Sequence, residues 1–288
     1  MVTKKEVESK LSYLLNLRSI FETYEEIAAT RMGRIRSSVL KSRDFLLELN
    51  TVFQQVKSSY QEEVNLLMKK KRIKDLKQLT FLNRNGKTLY VLVSANTGLY
   101  GEIIKKTYDI FIENVKKEKA DVAIIGRLGQ DLFREEKIDA PLTYFDLPDD
   151  TINKEQLKKI VAHIIQYQKI LVFYEQFNNV VNQKPIITNI SGDPMSYDKA
   201  GPAVKYLFEP TLEQVMAFFE KEITASIFEQ IVLESELAKF ASRMVVLDAA
   251  AQNTRDNVKL VSFEKERIRH RDANRKQIEK FSSMALWK

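Results

Sequence analysis

Apolar residues recur at helical spacing along both ends of the chain and at strand spacing through its middle. Toward the C-terminus, Leu233, Leu237, Phe240, Met244, Leu247, Ala251, Val258, Val261 and Ile268 follow one alternation of four and three steps, interrupted only by Thr254 and Lys265. Nine apolar residues in eleven such slots exceed the roughly five that a 44% hydrophobic composition supplies. This period predicts a coiled-coil seam centred on Leu237, Phe240, Met244, Leu247, Ala251, Val258 and Val261. A looser stripe marks the N-terminal stretch: Val7, Leu11, Leu14, Phe21, Tyr24, Ala28, Met32, Ile35, Val39, Leu46, Leu49, Phe53 and Val56. At about 1.5 Å per residue, fifty helical residues span about 75 Å, so neither helix fits inside a small domain. Each needs an apolar partner, and the simplest partner is the other.

The middle has a different rhythm. TLYVLVS (88–94), ADVAIIG (120–126), LTYF (142–145) and KILVFYEQF (169–177) predict strands, and QKPIITNIS (183–191) predicts an added edge or hairpin strand. Helical runs alternate with them at EIIKKTYDIFIENVKK, QDLFREE and NKEQLKKIVAHIIQY. Strands alternating with helices imply a parallel or mixed sheet with helices packed on it. All six prolines and seven of the eight glycines fall in this middle, with Gly33 the one glycine outside. Because these residues break helices, their placement separates two uninterrupted flanks from a turn-rich centre. The expected division is an N-terminal helix over 1–60, a linker and α/β domain over 61–207, and a C-terminal helix over 208–288.

Composition removes several chemistries. With no cysteine and only His163 and His270, thiolate chemistry, disulfides and a His-rich metal site are excluded. The N-terminus does not read as a signal peptide, and no apolar run is long enough to span a membrane. A cytoplasmic protein is expected. The loop SANTGLYGEI joins a strand to a helix, where an anion could rest on backbone amides. It carries neither G-x-G-x-x-G nor G-x-x-x-x-G-K-[ST], so a tight turn is favoured over a nucleotide site. No nucleophile elbow or H-E-x-x-H string occurs, and the sequence offers no catalytic set, cofactor site or metal site.

The formal net charge of +7 favours acidic partners. It concentrates in MKKKRIKDLK (68–77), which reads as a solvated linker, and in EKERIRHRDANRK (264–276), which holds six Lys and Arg against three acids. In the second stretch the seam becomes polar as arginines accumulate, which suits a helix entering an acidic protein surface. Nucleic acid is the rival partner, but the cluster lacks residues that read or stack on bases.

Three local strings then converge on one family. YLFEP (206–210), followed by a helix and ASRMVVLDAAAQN (241–253), is similar to a pattern matched here at Glu209, Pro210, Arg243, Met244, Ala249, Ala250 and Asn253. SANTGLYG agrees with a family loop at Gly98, Leu99 and Gly101, with Asn96 and Thr97 departing from its acidic and basic residues. KLSYLLNLRSIFETYEEIAATRM agrees at Leu11, Asn16, Ile20, Ile27, Ala28, Ala29, Arg31 and Met32, with Tyr24 in place of a usual Met. The chain resembles the gamma subunit of F-type rotary ATP synthases. The resemblance implies antiparallel N- and C-terminal helices in a coiled coil flanking a small Rossmann-like α/β domain.

It also implies a central rotor shaft without a catalytic site of its own. The expected partners are a hexamer of alternating nucleotide-binding P-loop subunits, with an epsilon-like subunit and a membrane rotor ring as further candidates, at the inner face of the cell membrane. Contacts to catalytic-subunit loops are expected at Arg269, His270 and Asn274, with Arg267, Arg271, Tyr24 and Arg31 beside them. Lys239 replaces a family Glu, and the tip ends in Trp287 and Lys288 where the family is small and apolar. These departures leave open ATP synthesis or ATP hydrolysis driving another mechanical task. The alternative is a basic coiled-coil protein that binds nucleic acid.

Overall fold

Helix starts are written into the side chains that satisfy free amides. Thr3 and Glu6 form a reciprocal cap, the Glu6 amide donating to Thr3 Oγ1 at 3.3 Å and the Thr3 amide to Glu6 Oε2 at 2.8 Å. Helix α1 (Lys4–Ser59) follows. The computed structural model describes residues 3–59, 82, 84–138, 140–149, 153–191, 209 and 211–285. After α1 come β1 (Thr88–Val93), α2 (Ile103–Lys117), β2 (Asp121–Ile125), α3 (Arg127–Glu135) and β3 (Leu142–Phe145). Then follow α4 (Lys154–Ile164), β4 (Lys169–Phe177), β5 (Gln183–Asn189) and α5 (Leu212–Ala285). Asn153 caps α4 by accepting from the Glu155 and Gln156 amides, and Thr211 caps α5 by accepting from the Gln214 amide. Without an internal Gly or Pro, α5 continues for 74 residues.

The chain forms two compact units, residues 31–242 and residues 1–30 with 243–288. In the larger unit the five strands lie in the order β3-β2-β1-β4-β5. Pairing is parallel except between β4 and β5, where Glu175 faces Pro185 in an antiparallel edge. One face of the sheet packs on α2 and α3 through Tyr90, Leu92, Phe173, Phe111 and Phe133. The other packs on α4 and on α5 through Val91, Val93, Val172, Ile160, Phe228 and Ile231. Burial on both faces explains why β1 and β2 read as nearly continuous apolar runs.

Also within the larger unit, α1 lies antiparallel to α5. Val39 packs with Leu233 and Leu237, and farther along Leu46, Phe53 and Val56 pack with Met216 and Ile223. The smaller unit repeats the antiparallel arrangement through Val7, Leu11 and Leu14 against Val261 and Ile268. There Arg255 reaches Glu22 at 2.8 Å and Lys265 reaches Glu8 at 3.9 Å. Of the expected seam, Leu237, Phe240, Leu247, Ala251 and Val261 are buried, while Met244 and Val258 are half-buried. Thr254, a polar residue on the seam, is buried and bonds back to the Ala250 carbonyl at 2.7 Å.

Candidate functional site

Two regions concentrate the residues that the sequence singled out. The first is the C-terminal end of the sheet in the larger unit. The chain reverses its winding between β1 and β4, since β2 and β3 lie to one side of β1 and β4 and β5 to the other. In open α/β sheets the crevice beyond such a reversal is where ligands bind. Here it is occupied by α5. Lys239 Nζ donates to the Ser94 carbonyl at 2.8 Å, and Ser242 Oγ donates to the Tyr100 carbonyl at 2.8 Å. Phe240 packs edge-on against Tyr100, with ring centroids 6.2 Å apart, and Arg31 of α1 lies 5.7 Å over the Phe240 ring.

The loop after β1 is closed to anions in the same way. The Asn96 and Thr97 amides donate to the Asp149 carboxylate at 3.0 and 2.9 Å, and Thr97 Oγ1 donates to it at 2.8 Å. The chain's own carboxylate thus takes the amides that a phosphate would need. Asn96 completes the knot: its Nδ2 donates to Asp146 and the Leu147 carbonyl, and its Oδ1 accepts from the Arg127 amide. Gly126, at φ +98°, lies so close to Ala95 that a Cβ would stand 2.7 Å from its amide nitrogen. Gly98 is open, Gly101 takes φ +61°, and Leu99 holds φ +69° with more than half its surface exposed.

Beneath this contact lies a group of buried polar residues. Glu175 is fully buried at the end of β4 and accepts a 2.5 Å hydrogen bond from Ser235 Oγ. Burial pushes its carboxyl above the usual carboxylate range, an effect partly offset by the positive Lys239 and by Ser235. Lys239 is itself 4% exposed. Along α5, residues 231–242 are buried on every side except at half-buried Glu234, because sheet, loop and α1 surround that segment. The heptad pattern anticipated one buried stripe there. The signals for more were the lone acid in KILVFYEQF and the Ser, Glu and Lys interrupting Leu233–Phe240.

The second region is the end of α5 in the smaller unit. Arg267, Arg269, His270, Arg271 and Asn274 are all exposed, with Ile268 turned inward between them. Arg269 pairs with Glu266 at 3.4 Å and Arg275 with Asp272 at 3.9 Å. Tyr24 is about half exposed on α1, whereas Arg31 is engaged with Phe240 in the larger unit. The structure therefore leaves Arg267, Arg269, His270, Arg271 and Asn274 exposed on one short stretch of α5, Arg267, Arg271 and Asn274 on one side and Arg269 about half a turn away, and places Tyr24 and Arg31 on α1. The basic stretch 68–77, Pro210 and residues 206–208 of YLFEP, and Trp287 and Lys288 lie outside the described residues. Among the described residues no cluster of three or more His, Asp or Glu side chains could hold a metal ion. No helix there is long and apolar enough to cross a membrane.

A family model described as ATP synthase matches residues 3–273. The chain belongs to the ATP synthase gamma-chain family. The ATP synthase gamma chain of Desulfitobacterium hafniense is 20% identical over 278 residues, covering 93% of each chain. That of Symbiobacterium thermophilum is 24% identical over 277 residues, covering 92% of each. In fold, the chain is similar to a chain in a Tetrahymena thermophila mitochondrial ATP synthase central stalk and c-ring structure. The TM-score is 0.57 at 17% identity, covering 80% of this chain and 99% of that one. A chain in the Euglena gracilis mitochondrial ATP synthase gives a TM-score of 0.53 at 14% identity, covering 89% and 94%. The nucleic-acid alternative finds no support among these relatives.

Proposed function

We propose that this gamma-family chain is the central rotor shaft of an F-type rotary ATPase and carries no catalytic site of its own. The observation that carries the reading is α5. It is one unbroken helix whose 231–242 segment is gripped on all sides in the larger unit and whose later turns pair with the start of α1 in the smaller one. The switch-point crevice and the strand-to-helix loop, the two places where an α/β fold of this kind would take a nucleotide, are filled by Lys239 and Asp149. A hexamer of P-loop subunits would supply the nucleotide sites, and the turning shaft would favour a different conformation in each by population shift. An epsilon-like subunit and a membrane ring are the further partners proposed, with the complex at the inner membrane face. The load is either proton-driven synthesis or another mechanical task driven by hydrolysis.

The exposed Arg267, Arg269, His270, Arg271 and Asn274 are assigned to acidic loops of the catalytic subunits, and so are Tyr24 and Arg31 of α1. Contacts of exposed charges weaken as salt shortens the Debye length. Affinity purification from the native source tests the proposal. Two P-loop proteins in threefold excess over this chain are expected, and charge reversal at Arg267, Arg269 and Arg271 lowers their recovery most at low salt. Recovery of nucleic acid, with a steep salt dependence and without P-loop proteins, would replace this function with the rival one.

A further inference from the structure

The turn that leads into β1 holds the one Asn-Gly pair of the sequence, Asn85 and Gly86. Asn85, Gly86 and Lys87 are all exposed. The Lys87 amide donates to Asn85 Oδ1 at 2.9 Å, a side-chain turn that curls the Asn85 carboxamide back over the peptide bond joining it to Gly86. This posture sets the side-chain carbonyl carbon beside the Gly86 nitrogen, and the Lys87 N–H draws electron density from the carbonyl oxygen. The nitrogen itself is unencumbered. Among the described residues the Gly86 amide donates to no acceptor, and a Cβ built on Gly86, which takes φ +74°, would meet no atom within 4 Å.

Three other exposed asparagines form the same turn. Oδ1 of Asn153, Asn179 and Asn189 each accepts from the amide two residues on, at 3.0 Å in every case. They are followed by Lys154, Val180 and Ile190, whose side chains crowd the nitrogen that would have to attack. The folded-back carbonyl is therefore shared by four sites, and a following residue without a side chain distinguishes one.

We propose that Asn85 is a site of spontaneous deamidation and that its isoaspartate product loosens the entry to β1. The Gly86 nitrogen loses its proton to solvent and attacks the Asn85 side-chain carbonyl carbon. The new C–N bond closes a five-membered succinimide, the bond to the side-chain nitrogen breaks, and that nitrogen leaves as ammonia with the returned proton. Water then opens the ring without any oxidation or reduction. Opening at the side-chain carbonyl leaves aspartate, whereas opening at the main-chain carbonyl leaves isoaspartate, whose main chain is one methylene longer. That methylene falls between two fixed points, since the Asn85 amide donates to the Gln166 carbonyl at 2.8 Å and the Lys87 carbonyl accepts from the Gln168 amide at 2.9 Å. A longer link cannot hold both bonds in their present geometry. Arg84, tied to Glu220 of α5, lies on one side of the insertion and Thr88, the first residue of the central strand, on the other. The inference goes beyond the rotor reading and does not rest on it.

The test uses the full chain, aged for weeks at neutral pH and digested after lysine, which releases residues 78–87 as one peptide. Electron-transfer fragmentation, which separates isoaspartate from aspartate, is expected to show at least tenfold more product at Asn85 than at Asn153, Asn179 or Asn189, with isoaspartate in excess. An intact Asn85, or equal rates at the four sites, overturns the proposal. Val180→Gly should bring Asn179 to within a few-fold of Asn85, and an unmoved Asn179 overturns the role given to the glycine. Asn85→Asp carries the product's charge on a normal main chain. Deamidated parent, separated by ion exchange, is expected to melt clearly below Asn85→Asp aged in parallel; equal melting overturns the loosening of the turn.

Discussion

Arg84 and Glu220 offer a direct test of how charge is used inside this fold. Arg84, just before β1, donates through Nη2 to Glu220 Oε1 of α5 at 2.6 Å and through Nη1 to the Gln168 carbonyl at 3.2 Å. The two side chains are 2% and 9% exposed, so neither charge is screened by water. Glu220→Met takes the carboxylate away from a buried guanidinium, and Arg84→Met takes a charged donor at 2.6 Å away from a buried carboxylate. Each single change is expected to cost about 3–5 kcal/mol, the range for breaking a buried ion pair by removing one partner. For a unit of this size that lowers Tm by roughly 6–20 °C. Arg84→Met combined with Glu220→Met removes both charges from a site that can accept apolar volume, and should land within about 1.5 kcal/mol of the parent. The double-mutant cycle therefore predicts a large favourable coupling, read by urea or thermal unfolding followed by circular dichroism. Additive losses, or single variants within about 0.5 kcal/mol of the parent, would refute the view that these charges are buried and mutually dependent.

Further outcomes follow from single positions. Gly126→Ala should destabilise the chain by about 3 kcal/mol or more in chemical denaturation, because its positive φ and the Ala95 backbone 2.7 Å from a new Cβ leave no room to relax. Gly33→Ala should stabilise it by up to about 1 kcal/mol in the same assay, since Gly33 sits exposed inside α1 with nothing within 4 Å of its Cβ position. His163 lies between the rings of Phe145 and Tyr167, and burial lowers its pKa, with Asp121 opposing. The fold prefers the neutral ring, so this contribution is complete above the ordinary imidazole value of about 6.5 and is lost as pH falls through it toward the lowered value. His163→Phe should flatten the stability profile between about pH 7 and 5, where the wild-type slope from this group is at most about 1.4 kcal/mol per pH unit. An unchanged slope would show that His163 is not the group responsible.

The sequence by itself determined the element order, the alternation of strands and helices and an added edge or hairpin strand at QKPIITNIS; the antiparallel pairing of that strand came from the structure. It also determined that two long helices must share an apolar face. Periodicity carries that information because burial on one side of a helix or on both faces of a sheet leaves a repeat of its own in the chain. The loop residues Gly98, Leu99 and Gly101 and the arginines of the basic stretch stood out differently, as local strings rather than as a period. Only the tertiary structure decided what else α5 touches. A heptad reports a single seam, whereas Ser235, Lys239 and Ser242 lie off that seam and have meaning only once β1, β4 and the loop after β1 surround them. Asp149 likewise stands far along the chain from the amides of Asn96 and Thr97 that it satisfies. Arg84 and Glu220 are separated by still more sequence. Pairings of this kind leave no period, because a buried charge is settled by the one partner that folding brings to it rather than by its neighbours along the chain.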